Sequence, residues 1–511
     1  MLHGRDFCSF KVKVATSFLL GTAAALCSVV SAQAADLPVK ARPVEYVKVC
    51  NVYGAGFFYV PGTDTCLKIG AYLRSDHLYG AGNASSYYFA NANARFTRAD
   101  TNFYAFRARI NLTTDWRTQT DYGVLRAYAA IIAQQQTGDG STTGTAGILR
   151  AFIQFAGFTV GHAVSYFDFF NTGDYTYLAT TPYSGTTANN GIDLIAYTWQ
   201  IGNGWSATLS AEDGIGRGKV IVNASSPAQL GTPAAANTIT TDRLGAWSPD
   251  ITGSIRLDQA WGSFQVMAAA HEASGAYYAG VGAPSAAALT SNGHPDQAWG
   301  WAVGGGVKLT NFLAPKDTFE VQGTYAKGAT GYVTTIGSYG GNAVFGSGNS
   351  LGVGYATDGV FVTGSSVELT EAWGVAAAYQ HNWNSQWRTS VAGGYIQVNY
   401  KDAATAMLCG TAVNSAGAGA GLSTVFGTFV PAAGFGCDPN YSVSTVGTRT
   451  AWKPHPTLEI GLDLVWNHID TAFTGLGTIG AANGARPPGV YQFEDQDNFL
   501  AIMRVQKSVL P

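Results

Sequence analysis

The sequence predicts an all-β fold: a transmembrane antiparallel β-barrel of sixteen strands, with short turns at one rim and long loops at the other. Three observations predict it. Apolar and polar residues alternate in segments of about ten residues along the chain. Short tight connections alternate with long polar or glycine-rich ones. Charged residues make up only 12% of the chain, while aromatics reach 13% and glycines number 64. A soluble surface of this extent carries about twice that charge. A barrel does not need it, because half of each strand faces lipid.

The start of the chain reads as an export signal over residues 1–34. Arg5, Lys11 and Lys13 make a positive end, Val14 to Val30 an apolar stretch, and Ala32-Gln33-Ala34 a small-x-small cleavage pattern before Ala35. Cys27 follows Leu26 rather than the small residue a lipoprotein signal requires. Beyond this leader there is no further run of 18 apolar residues, so no helix is available to span a membrane. Removing the leader leaves 26 basic and 31 acidic residues, net −5, which argues against a nucleic-acid partner.

Four cysteines remain after the leader, in two separated pairs: Cys50 with Cys66, and Cys409 with Cys437. An even count in an exported chain suggests disulfides, and nearest-neighbour pairing is the simplest of the three connectivities. A zinc site lacks the CxxC or paired histidines it needs here. Neither a cofactor nor a metal site is expected.

Individual strands show the period of two. Trp205, Ala207, Leu209 and Ala211 alternate with Ser206, Thr208, Ser210 and Glu212. Leu458, Ile460, Leu462, Leu464 and Trp466 do so near the C-terminus, and Phe264, Val266, Ala268 and Ala270 in between. Short turns fall at Thr118–Gly123, Gly157, Gly202–Gly204, Gln259–Gly262, Asn311–Thr318, Asn382–Gln386 and Lys453–Thr457. Long stretches occupy 79–101, 136–147, 162–190, 214–249, 273–296, 328–366, 402–439 and 469–496. Seven turns and eight loops connect sixteen strands. The expected domains are the leader, a lead at 35–66 holding the Cys50–Cys66 loop, and a barrel over 67–511. Trp116, Trp199, Trp205, Trp261, Trp383, Trp387 and Trp452 cluster at or near the short turns, as an interfacial aromatic girdle requires.

Several stretches resemble a known family. YVKVCNVYGAGFFYVPGTDTCLKIGAYLR at 46–74 is similar to the start of the porins of alphaproteobacterial outer membranes. FRARINLTTDWRTQTDYGVLRAY at 106–128, FTVGHAVSYFDFF at 158–170 and IAYTWQIGNGWSATLSAEDG at 195–214 resemble the following strands in order. LEIGLDLVW at 458–466 and NFLAIMRVQKSV at 498–509 resemble the last two. The resemblance implies a sixteen-stranded barrel, a homotrimer, long extracellular loops, short periplasmic turns and a third loop folded into the pore. It implies passive passage of small hydrophilic solutes and ions, with outer-membrane lipid and lipopolysaccharide as surroundings. A substrate-specific channel and a surface adhesin are the alternative functions. Two features depart from the family: His162 stands where an arginine of the constriction is expected, and the chain ends Ser508-Val509-Leu510-Pro511 rather than on an aromatic residue.

A pore needs no catalytic residues. It needs a narrow place where charge acts on a solute between low-dielectric walls. The loop at 162–190 is the candidate, because Tyr166, Phe167, Phe169 and Phe170 suit packing inside a barrel, with Asp168 and Asp174 as its acidic edge. The basic side is expected from Lys68, Arg74, Arg107 and Arg109, which period-two counting places on one face of their strands, with Arg126 and Arg150 from the next two strands. An arginine facing lipid costs roughly 2–4 kcal/mol at the bilayer midplane. GNSLG at 348–352 matches a hydrolase pattern, but that pattern needs a strand-to-helix turn absent from an all-β reading. The run Glu494-Asp495-Gln496-Asp497 lacks the spacing of a calcium loop and reads as a solvated loop end.

Overall fold

Alternation of this kind closes into a sheet when every strand finds two neighbours, which removes the unpaired edges a bilayer does not tolerate. The computed structural model describes residues 49–80, 104–137, 142–177, 185, 187, 191–225, 242–278, 290–334, 342–409, 429–479 and 488–510. The expected leader at 1–34 lies outside the described residues. The barrel strands, numbered in chain order, begin with β1 Cys66–Tyr79, β2 Tyr104–Thr120, β3 Gly123–Thr137, β4 Thr142–Phe155 and β5 Phe158–Ala163. Then come β6 Ile192–Gly202, β7 Trp205–Glu212, β8 Asp250–Gln259, β9 Gly262–Glu272, β10 Trp299–Thr310 and β11 Thr318–Lys327. The last are β12 Glu371–Asn382, β13 Trp387–Asn399, β14 Tyr441–His455, β15 Leu458–Asp470 and β16 Gln496–Leu510. Each pairs antiparallel with the next, and β1 pairs with both β2 and β16, so the sheet is a closed sixteen-stranded barrel.

The two faces sort as the pleat dictates. On β2, Phe106, Ile110 and Leu112 stand exposed on the outside, whereas Arg107, Asn111 and Asp115 are buried on the inside. The outer surface is thus apolar and the lumen polar. Trp199, Trp205, Trp261, Trp383, Trp387 and Trp452 are exposed near the short-turn rim, and Trp387 stacks on Trp452 across β13 and β14 at 5.7 Å. At the β6–β7 hairpin, Asn203 and Gly204 both take positive φ (51° and 81°), which matches the strand twist and which asparagine and glycine adopt most readily.

One connection differs from expectation. Residues 136–147 do not form a long loop: β3 and β4 continue their pairing to Thr137↔Thr142, leaving only 138–141 outside the described residues. Polar composition suggested a loop, but a lumenal face and the strand ends beyond the bilayer can both be polar without losing the ladder.

At the opposite rim the long loops build structure of their own. Val220–Asn223, Thr357–Phe361 and Glu368–Leu369 form a three-stranded sheet. Asn342–Ser347, Ser350–Tyr355, Gly489–Phe493, Phe473–Ile479, Phe429–Pro431 and Gly436–Cys437 form a second, six-stranded one. GNSLG therefore lies in a strand-turn-strand hairpin. The disulfide Cys409–Cys437 ties the helix Asp402–Cys409 to this cap, and Cys50–Cys66 ties the lead to β1. The largest apolar cluster, with Phe167, Phe170, Tyr332, Leu351 and Phe493, lies among the loops and the inserted segment, because the lumen itself is wet.

Candidate pore constriction

The chain leaves β5 at Ala163 after only six strand residues and returns at Ile192 in β6. In between, the described part at 164–177 runs along the inside of the wall. Its successive partners give the path. Glu212 on β7 accepts from the Tyr166 N–H at 3.1 Å. Gln265 on β9 donates to the Tyr166 and Asp168 carbonyls at 3.2 and 3.3 Å. Gln322 on β11 accepts from the Phe170 N–H at 2.8 Å, and Glu320 from the Tyr175 hydroxyl at 2.6 Å. Ser390 on β13 donates to the Tyr175 carbonyl at 2.5 Å, and Arg449 on β14 donates to the Asp174 carbonyl. Asp463 on β15 accepts from the Tyr177 N–H at 2.5 Å, and Arg504 on β16 donates to the Tyr177 carbonyl at 3.4 Å. Buried backbone groups need such partners, and here polar side chains of the wall supply them in place of a ladder.

The aromatic load is seated the same way. Phe167, Phe170, Tyr175 and Tyr177 are almost fully buried, and Tyr166 and Phe169 partly so. Two wall glycines make room: a Cβ at Gly306 would run into the Phe169 ring, and one at Gly461 into Tyr177. A short turn at Thr172–Asp174, capped by the Asn171 side chain, lies between these rings.

The two aspartates have different roles. Asp174 is half exposed, accepts from the Asn171 side chain at 3.1 Å and stands 4.0 Å from the Lys308 ammonium. Asp168, expected on the acidic edge of the constriction, is instead buried against Arg217 at 2.6 Å, with side-chain exposures of 6% and 2%. It also accepts from the Thr187 N–H and hydroxyl at 2.5 and 2.6 Å. Arg217 ends the short helix Gly214–Arg217 after β7, donates to the Gly185 carbonyl and lies over the Tyr332 ring at 4.4 Å. Burial opposes its charge, but the Asp168 carboxylate outweighs that and raises its pKa above the ordinary arginine value. The pair anchors the root of the segment to the loop cap.

The basic residues lie on β1 to β4. Lys68 donates to the Ala55 carbonyl at 3.3 Å beside Phe57, toward the short-turn rim. Arg107 and Arg504 share Asp76, with Arg504 at 2.6 Å. Arg126 binds Asp115 at 3.0 Å, and so does Arg117 at 2.8 Å. Arg74 and Arg109 are held by glutamine oxygens. Arg150 donates to the Leu149 carbonyl and, with Tyr166, Asp168 and Arg256, lines a cavity of about 430 Å³ beside the segment.

His162 is not part of the lumen. It shares the outer face of β5 with Phe158 and Val160 and pairs with Asp193 at 2.7 Å, so its identity does not set the charge of the pore wall. Among the described residues, His468, Asp470 and Asp495 bring possible metal ligands within 4.8 Å of one another at the long-loop rim. His468 is already engaged there by Asp497 and Asp470 at 3.0 and 3.3 Å.

Period-two reasoning reached the basic residues because a strand fixes its own alternation. It overlooked Arg449, Asp463 and Arg504, although the same counting turns them inward. Arg217 carries no such signal, since its position depends on how separate loops meet.

Known proteins bear on this geometry. The family model described as a porin subfamily matches residues 36–502. Porin Omp2b of Brucella neotomae is 29% identical over 343 residues, covering 60% of this chain and 84% of its own. Porin Omp2a of Brucella melitensis is 30% identical over 354 residues with the same coverage. Among solved structures, the outer membrane channel DcaP of Acinetobacter baumannii superposes with a TM-score of 0.53 at 15% identity, over 88% of this chain and 99% of that one. With the family model spanning nearly all of the barrel, the chain belongs to the porin subfamily.

Proposed function

We propose that this porin is a water-filled channel in the bacterial outer membrane through which small hydrophilic solutes and ions diffuse passively, narrowed by the segment at 164–177. One observation carries the reading: inside a closed sixteen-stranded barrel, the connection after β5 leaves the wall early, and its described part lies along the lumen on polar side chains of seven other strands. A surface anchor has no use for such an insertion. Asp174 forms its acidic edge, and Lys68, Arg74, Arg107, Arg109, Arg126 and Arg150 supply the basic wall; Asp168 holds the segment. Purified protein in a planar bilayer should give stable ohmic steps across a salt gradient. A protein that inserts but does not conduct would return the adhesin reading.

The leader at 1–34 is proposed to be removed on export, and the barrel to assemble as a homotrimer within outer-membrane lipid and lipopolysaccharide. The outer face supports an association. His162 and the Asp193 carboxylate are hydrogen-bonded only about 10 Å in from the short-turn rim, by four residues of strand rise at the usual tilt. Ser75, His77 and Gln135 are further polar groups on the outer face of β1 and β3. Nearby, Ala108, Ala133, Gly144 and Ala146 line a hollow of about 820 Å³. Charges against lipid are costly, so a second copy is the better neighbour for this arc. Migration as a monomer alone in unheated detergent gels would remove the trimer.

A further inference from the structure

The cavity of about 430 Å³ beside the root of the inserted segment lies on the lumenal face of β3 to β9. At one end of it two rings meet. Tyr128 on β3 and Phe152 on β4 are opposite in register and stack at 5.3 Å, with 26° between their planes. Period two puts both in the lumen, since Tyr128 stands opposite Asp115 of the buried inner face. Neutral polar groups from β4 to β8 line the remainder: Gln154, Thr159, Thr198, Ser206, Thr208 and Ser254. Thr208 joins them into a row, opposite Thr198 on one side and Ser254 on the other. Tyr166 closes the cavity from the segment, its hydroxyl 2.9 Å from that of Thr159.

The guanidinium groups at its two ends each carry a carboxylate of their own. Arg126 lies over the two rings at 5.1 and 5.4 Å and is held by both oxygens of Asp115 at 3.0 Å. Arg256 is held by both oxygens of Asp258 at 2.9 Å. Arg150 and Asp168 add one charge of each sign. An oxyanion needs donors only, whereas hydroxyls and amides both donate and accept, as a solute built of hydroxyl groups requires. Flat rings suit the apolar C–H face that a sugar ring presents between its hydroxyls, and Arg126 covers them only in part, since both line the cavity. The volume lies in the range of about 300–1,000 Å³ usual for small-ligand sites, whose lining combines aromatic surface with a few placed polar groups. We propose that this cavity is a subsite for neutral polyhydroxylated solutes of the size of a sugar ring. Tyr128 and Phe152 take the C–H face, and Gln154, Thr159, Thr208 and Ser254 take the hydroxyls. The inference rests on the channel reading and deepens it: ions pass the open lumen, and a sugar pauses against this stretch of wall.

The test is bilayer conductance in 1 M KCl, where the Debye length of about 3 Å screens the wall charges. Glucose is titrated in one arm and maltose in the other. Viscosity alone lowers the current without a plateau and equally in every variant. Binding instead lowers it along a saturating curve, which the unmodified protein should show with at least one of the two sugars. Each variant is read as half-saturation, relative to its own current in salt alone. Tyr128→Leu/Phe152→Leu keeps apolar side chains but removes the flat faces, and should raise half-saturation about tenfold. Thr208→Val/Ser254→Ala keeps both rings and removes two hydroxyls, and should raise it several-fold. A conducting pore whose current falls without saturation in both sugars overturns the subsite, as does a half-saturation unchanged in both double variants. An absence of any conductance would instead sink the channel reading beneath it.

Discussion

Asp168→Asn separates two accounts of the inserted segment. If Asp168 were an open acid of the constriction, removing its charge would shift ion preference and leave the segment in place. The geometry argues otherwise. The carboxylate accepts from Arg217 at 2.6 Å and twice from Thr187, and both charged side chains are nearly inaccessible. Breaking a buried pair by removing one partner costs about 3–5 kcal/mol, because the remaining charge stays buried without compensation. That converts to an increase of roughly 10²- to 10⁴-fold in local opening of the segment root. The barrel should survive, since Gln265, Gln322, Glu320 and Asp463 hold the segment further along. Expected results are faster hydrogen exchange at 164–170, flickering single-channel current and little change in reversal potential. Arg217→Gln combined with Asp168→Asn should recover part of the loss, because no charge is then stranded. A quiet channel with a displaced reversal potential in Asp168→Asn would refute the latch.

Asp174 is the acid that stands open, half exposed and 4.0 Å from Lys308. Asp174→Asn should move the reversal potential towards anions at 0.1 M salt, with the shift shrinking at 1 M, where the Debye length is about 3 Å. Gly306→Ala places a methyl group in the Phe169 ring and should change unit conductance while leaving the barrel intact. In the cap, burial raises the Asp242 carboxyl to about 6, against a smaller opposing effect of the Asn223 N–H. The folded cap therefore holds this proton more tightly than the unfolded chain. Its contribution is full below about pH 4 and is lost as pH rises through 6. Relative to the intrinsic exchange rate at each pH, protection at Val220–Asn223 should accordingly be greater at pH 4 than at pH 7, and Asp242→Asn should reduce that difference. Reduction of Cys50–Cys66 and Cys409–Cys437 should lower stability by about 3 kcal/mol each through loop closure. Intact mass after alkylation, with and without reductant, checks that all four thiols are bridged.

Much of the fold was legible because it is a local property repeated sixteen times. The pleat turns Arg107, Arg109 and Asn111 to one side of β2 and Phe106, Ile110 and Leu112 to the other, whatever the rest of the chain does. Turn chemistry at Asn203-Gly204 is equally local. His162 could have been placed by the same counting, since Phe158 and Val160 share its face; family likeness pointed the other way and was misleading there. The loop expected at 136–147 failed for a related reason, because polarity marks a loop only where strands must be apolar, and these strand ends need not be.

What the sequence by itself determined is the alternation, the turns and hence the barrel, together with the inward basic residues of β1 to β4. Tertiary structure decided the path of the inserted segment, the burial of Asp168 by Arg217, the notches at Gly306 and Gly461, and the cavity that brings Tyr128 and Phe152 together with Thr208 and Ser254. Strand periodicity is a relation between a residue and its own backbone, so it is written in the chain. Register between β16 and β1, and contact between a loop after β5 and one after β7, join residues tens to hundreds of positions apart. Their pairing depends on closure of the whole sheet.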